Sequence, residues 1–182
     1  MAKTEIRMTG SGGQGVIMAT IILAEAAYED GKQVIQCQSY GPEARGGSSK
    51  AETIISDDRI HYTKIHYPDL LLSLTQESLD KFKDEVKEST IFVVDSDIEV
   101  PEEIKASHKV YSLPILRSAI DVIKNKMSAN IISCGVVNEI TKVASEESIR
   151  KAVLNHVPKG TGDSNLSALE FGHKLVREYE DK

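Results

Sequence analysis

Thr9-Gly10-Ser11-Gly12-Gly13-Gln14-Gly15 lies between Ile6-Arg7-Met8 and an apolar run that begins at Val16. Gly10, Gly12 and Gly15 match G-x-G-x-x-G, and the flanks are those the motif requires, a short strand before and a helix after. Glycines in such a loop permit a tight turn, close approach of backbone to a partner group, and close packing of helix on strand. The N–H groups that open the helix carry partial positive charge. The loop therefore suits a phosphate, another anion, or a protein backbone pressed against it. Two readings stand side by side: an anion site, or a turn that only packs. A loop that only packs should tolerate changes at Ser11 and Gln14 and resist them at Gly12 and Gly15.

Working outward, Lys3 to Met8 reads as a first strand and Gln14 to Glu29 as a helix stopped by Gly31. That helix shows no polar face until Glu25, so it should be covered on more than one side, by its own domain or by a partner subunit. Lys32 to Gln38 reads as a second strand. Its end offers Gln36 and Gln38 where a dinucleotide-binding unit would place an acid for the ribose, a mark against NAD. Ser39 to Ser49 is polar and turn-rich, and reads as an interface or ligand loop. Within it Arg45, beside Gly46 and Gly47, suits a carboxylate or phosphate in a two-pronged contact.

Ala51–Ile55 and Ile60–Tyr62 are predicted to pair as a hairpin around Ser56-Asp57-Asp58-Arg59. The apolar runs Asp69–Leu74 and Ile91–Asp95 read as buried strands. Thr75 should cap a helix carrying Leu79, Phe82 and Val86. Pro101-Glu102-Glu103 reads as a linker or short turn. Lys109–Leu113 is a further strand, with a helix after Pro114. Ile132, Val136, Ile140 and Val143 mark another helix. Ser145 should cap the next one, and Asn165 the last. The pattern predicts one α/β domain over residues 1–182, Rossmann-like, with a mainly parallel sheet flanked by helices and one β-hairpin.

The net charge of −6 argues against nucleic acid or an anionic membrane as partner. Cys37 and Cys134 are too few for a disulfide framework, a structural zinc site or an iron–sulfur cluster, and read as two buried thiols in a reducing compartment. The N-terminus lacks a signal-peptide pattern, and glycines break the uncharged stretch 8–24 before it could span a bilayer. A cytoplasmic location is expected.

Catalytic signatures are missing. Val16 stands where a P-loop needs lysine, and there is no G-x-S-x-G. His61, His66, His108, His156 and His173 are scattered without H-x-x-x-H spacing. Asp95 and Asp97 could reach a metal at the end of a strand, but no His or further acid clusters beside them, and no metal site is assigned. No catalytic residue is assigned either. A nucleotide-type loop without a catalytic constellation points to a subunit of something larger, or else to a free-standing nucleotide- or NAD(P)-binding enzyme.

Gly10-Ser11-Gly12-Gly13-Gln14-Gly15, Leu23-Ala24-Glu25-Ala26-Ala27 and Ser39-Tyr40-Gly41-Pro42-Glu43-Ala44-Arg45-Gly46-Gly47, in this order, resemble the gamma subunit of the 2-oxoacid:ferredoxin oxidoreductases. The second motif's wording is similar to the 2-oxoglutarate members, with pyruvate and branched-chain or indolepyruvate relatives as neighbours. The resemblance implies a complex that converts a 2-oxoacid and coenzyme A to acyl-CoA, CO2 and reduced ferredoxin. It implies thiamine diphosphate, Mg2+ and iron–sulfur clusters held by alpha and beta subunits and a small ferredoxin-like subunit. The gamma chain itself braces those partners or helps to hold coenzyme A, and when isolated is inactive and open to self-association. Gly10, Ser11, Gly12, Gly13, Gln14, Gly15 and Arg45 would then meet coenzyme A or another anion. Tyr40, Pro42, Glu43, Arg45, Gly46 and Gly47 would form the interface. Gly162-Asp163-Ser164-Asn165 matches only the start of a thiamine diphosphate motif and reads as a helix-capping loop.

Overall fold

A computed structural model describes residues 3–40 and 48–182. Its centre is a six-stranded sheet in the order β2-β3-β1-β4-β5-β6. The strands are β1 (Thr4–Ser11), β2 (Gln33–Tyr40), β3 (Ser48–Ser56), β4 (Leu70–Ser73), β5 (Ile91–Asp95) and β6 (Val110–Leu113). β1, β4, β5 and β6 run parallel, and β3 is antiparallel to both β1 and β2. Seven α-helices and one 3-10 turn (Lys126–Ser128) complete the described chain: α1 (Val16–Glu29), α2 (Gln76–Phe82), α3 (Glu102–Ser107), α4 (Ile115–Asp121), α5 (Ala129–Thr141), α6 (Glu146–His156) and α7 (Gly162–Glu180).

Side-chain alternation decides which face each strand residue serves. Ile6, Met8, Leu70, Leu72, Val93 and Tyr111 join the larger core, under α1, α4, α5, α6 and α7. Leu71, Phe92 and Val94 turn the other way, into a smaller core with Leu79 and Phe82 of α2. On that second face β1 contributes Arg7 instead of an apolar residue. Arg7 is 1% exposed and bonds Glu52 at 2.7 Å, Glu85 at 2.8 Å and the Ile65 carbonyl at 3.0 Å.

The predicted hairpin exists, but with other arms. β2 and β3 pair antiparallel from Gln33↔Ser56 to Tyr40↔Ser49. Residues 60–62 form no strand, so Ser56-Asp57-Asp58-Arg59 is the exit from β3 and not a hairpin turn. β3 buries residues on both faces because α1 and α2 pack against it, and that burial hid its true partners from a local reading. Pro101 starts the short helix α3 where a linker or turn was expected. α7 begins at Gly162 with Thr161 as N-cap, so Asn165 lies one turn inside it. Its Nδ2 donates back to the Thr161 carbonyl at 2.9 Å. The Gly162–Asn165 run is thus helical and not a loop.

Thr75 and Ser145 cap as expected: the Thr75 and Ser145 hydroxyls accept from the Ser78 and Ser148 amides. α1 is enclosed by the sheet, α5 and α6, which leaves half-buried Ile17 and Ile21 and exposed Met18 as its outward strip. Cys134 is fully buried, and burial pushes its thiol well above the usual range. Cys37 is only half-buried, against the expectation of two buried thiols. Among the described residues no helix is long and apolar enough to cross a membrane.

Candidate functional site at the glycine loop

The motif is shared between a strand and a turn. Gly10 and Ser11 still belong to β1 and pair with Ser49 and Ser48, so the free loop is only Gly12 to Gly15. Gly10 leaves room for a neighbouring side chain. A Cβ there would overlap Gln14 Oε1, which folds back to accept the Ser11 amide at 2.7 Å. Gln14 thus locks the turn from inside, helped by its own amide bonding the Ser11 carbonyl at 3.3 Å.

Gly12 and Gly13 are exposed, and a Cβ on either would meet nothing within 4 Å. Gly12 therefore does not serve packing, contrary to the expectation for a loop that only packs. Gly13 has φ +90° and Gly15 φ +73°, backbone that an L side chain rarely adopts. Gly15 is also pressed against α5, where a Cβ would stand 2.9 Å from Asn130 Cβ.

That contact fixes a second feature. Gly15 meets Asn130, and four residues on, Cys134 Sγ lies 3.5 Å from the Ala19 carbonyl oxygen. α1 and α5 therefore run parallel, with their N-termini side by side at the loop. No side chain caps the first N–H groups of α1. At the start of α5, which continues a 3-10 turn over Lys126–Ser128, Asn130 Oδ1 accepts from the Ile131 amide at 2.8 Å. The uncapped N-terminus of α1 and an open pair of glycines suit an anion such as a phosphate.

The surroundings disfavour a dinucleotide. β3 separates β2 from β1, which puts the end of β2 about 9.6 Å from β1 instead of one strand spacing. Gln36 is occupied as well: its Nε2 donates to Thr20 Oγ1 at 3.1 Å. Asp95, expected at a ligand-binding strand end, is 1% exposed and serves the backbone. It accepts from the Leu116 amide at 2.8 Å and the Asp97 amide at 3.2 Å, while burial pushes its carboxyl above the usual range. Tyr40 ends β2, and Pro42, Glu43, Arg45, Gly46 and Gly47 lie outside the described residues.

Two clusters escaped the sequence reading. One is Arg7 with Glu52 and Glu85, which the polar alternation Glu5, Arg7, Thr9 in β1 could have revealed. The other is Glu146, Glu170 and His173, brought together by α6 and α7. Its signal was the E-x-x-H spacing of Glu170 and His173, which a search for H-x-x-x-H passes over.

The fold recurs in the chain's relatives. Residues 5–175 match the pyruvate ferredoxin/flavodoxin oxidoreductase family. The chain is 43% identical to 2-oxoglutarate synthase subunit KorC of Methanocaldococcus jannaschii, over 97% of this chain and 95% of that one. It is 38% identical to the subunit of the same name from Methanothermobacter marburgensis, over 97% and 98%. The crystal structure of the keto/oxoacid ferredoxin oxidoreductase gamma subunit of Geobacter sulfurreducens superposes with a TM-score of 0.88 at 38% identity, covering 98% of this chain and 99% of that one. The fold also recurs, with a TM-score of 0.89 at 24% identity, within 32% of a 2-oxoglutarate:ferredoxin oxidoreductase chain of Magnetococcus marinus. By the extent of these matches, the chain belongs to the pyruvate ferredoxin/flavodoxin oxidoreductase family.

Proposed function

We propose that this chain is the gamma subunit of a 2-oxoglutarate:ferredoxin oxidoreductase and that its glycine loop helps to hold a phosphate of coenzyme A. The observation that carries the choice of substrate is the 43% identity, almost end to end, with a subunit named for 2-oxoglutarate synthase. Relatives named for ketoisovalerate and pyruvate stand at 31% and 29%. In this reading the chain belongs to a complex that joins a 2-oxoacid and coenzyme A into an acyl-CoA, with release of CO2 and reduction of ferredoxin. Thiamine diphosphate, Mg2+ and iron–sulfur clusters belong to the alpha, beta and ferredoxin-like partners, since two cysteines fall short of a cluster's four ligands. The whole of residues 1–182 acts as one domain, in the cytoplasm. Arg45 and its neighbours from Tyr40 to Gly47 meet the partner subunits.

The residues present fit a phosphate. Gly12 and Gly13 leave backbone open where a side chain would stand, beside the N-terminus of α1, which no side chain caps. Gln14 keeps the turn closed without entering that open side. The chain's part is to bind and orient, and it turns over no substrate alone.

Gly12→Ala tests the loop, because the new methyl meets no protein atom yet stands where the anion would sit. In the purified complex it should raise the KM for coenzyme A roughly tenfold, the equivalent of about 1.4 kcal/mol, with the KM for the 2-oxoacid unchanged. An unchanged coenzyme A KM removes the loop's assignment. Comparing kcat/KM for 2-oxoglutarate, pyruvate and 2-oxoisovalerate tests the substrate separately. A preference for either of the last two overturns that part.

A further inference from the structure

His173 sits on α7, is 1% exposed, and neither ring nitrogen has a hydrogen-bond partner among the described residues. Its Nδ1 faces two carboxylate oxygens, Glu146 Oε2 at 3.5 Å and Glu170 Oε2 at 3.6 Å. These are too long for hydrogen bonds. They match another spacing. Around a tetrahedral Zn2+, with metal–ligand bonds of about 2.0–2.2 Å, neighbouring ligand atoms stand about 3.3–3.6 Å apart.

The outer surroundings hold the same arrangement. Glu146 Oε1 faces Arg150 at 3.7 Å, and Glu170 Oε1 faces Arg177 at 3.3 Å. Each guanidinium engages the Oε1 side of its carboxylate, and each Oε2 is left toward the imidazole. Such outer contacts orient ligating carboxylates. Arg177 is itself steadied by Glu139 at 3.0 Å, and Glu139 takes Lys142 at 2.8 Å. The two acids are half-exposed while the imidazole is buried, so an ion would reach the site from solvent and keep a position for water. Gly135 and Gly172 are what bring α7 so close to α5, and they place His173 in this fixed spot.

We propose that Glu146, Glu170 and His173 form a site for one divalent transition-metal ion of the zinc class, linking α6 to α7. The site lies apart from the glycine loop and is independent of the function proposed above.

The test uses the full 182-residue chain, freed of metal by chelation. Titration with Zn2+ by calorimetry should show one saturable equivalent and raise the melting temperature. Co2+ should give visible absorption bands of a four-coordinate site, bleached by Zn2+. Because His173→Gln could fail to fold, the discriminating variants are Glu146→Gln and Glu170→Gln, whose side chains reach solvent. Each should keep the wild-type circular dichroism and weaken Zn2+ binding at least tenfold. Binding that is unchanged in both variants would place the ion elsewhere and overturn the proposal. Stabilisation by acid alone, with no response to metal, would identify an imidazolium held by two carboxylates and overturn it as well.

Discussion

Gly15→Ala is the substitution that asks most of the glycine loop. Two costs are separable. At φ +73° an alanine enters the left-handed region, which costs about 1–2 kcal/mol. Its methyl would also stand 2.9 Å from Asn130 Cβ, well inside the ~3.5–4.0 Å at which carbon atoms rest against one another. Overpacking of this kind costs about 1–3 kcal/mol. The sum is about 2–5 kcal/mol, or roughly 4–20 °C in melting temperature for a chain of this size. Thermal and denaturant unfolding, followed by circular dichroism, would measure it. Asn130→Gly divides the sum. In that background the clash is gone and the strain remains, so Gly15→Ala should fall to about 1–2 kcal/mol, a coupling of about 1–3 kcal/mol. Gly12→Ala is the control, expected within about 0.5 kcal/mol of wild type because nothing lies near its methyl. A cost for Gly15→Ala that is the same with or without the Asn130 side chain would refute the packing of α1 on α5 at this point.

Gly172→Ala should destabilise by about 2–4 kcal/mol in the same assay, since its methyl would overlap the Ile132 carbonyl oxygen and force two helix backbones apart. The gain in helix propensity, about 0.5–1 kcal/mol, is too small to offset that. Arg7→Met should cost about 3 kcal/mol or more in urea unfolding, because among the described residues it leaves Glu52, 6% exposed, with only the Lys50 ammonium at 3.4 Å as an ionic partner. Asp95 gives a pH signature. Its folded carboxyl is raised by burial, so its contribution to stability is complete below the unfolded value near 3.9 and is lost as pH rises through the folded value. The stability of wild type minus that of Asp95→Asn should therefore fall as pH rises from about 4 upward, and a difference that rises or stays flat would contradict the burial.

The elements with strong local signals were legible. Ile91–Asp95 is a strand to the residue, and the caps at Thr75 and Ser145 are where serine and threonine chemistry puts them. What stayed hidden is what depends on distant chain. β3 reads as a strand, but nothing local says that it slides between β1 and β2. Gln36 and Gln38 counted against NAD in the sequence; that a whole strand stands between β2 and β1 is a fact of topology. At the loop, Gly10, Gly12 and Gly15 look alike in the sequence. The structure separates them by what a methyl would touch: Gln14, nothing, and Asn130. Glu146 and Glu170 fell on different helices, so their meeting at His173 could not be read from spacing alone.

The contact between Gly15 and Asn130 also sets an order of events during synthesis. The chain leaves the ribosome from its N-terminus, so the glycine turn emerges early and then waits for a residue 115 positions later before its packing partner arrives. A nascent chain halted before α5 holds the segments of β1 and α1 but not the helix that Gly15 packs against. The packing that holds the turn against α5 is thus a long-range contact, completed only after most of the chain has been made.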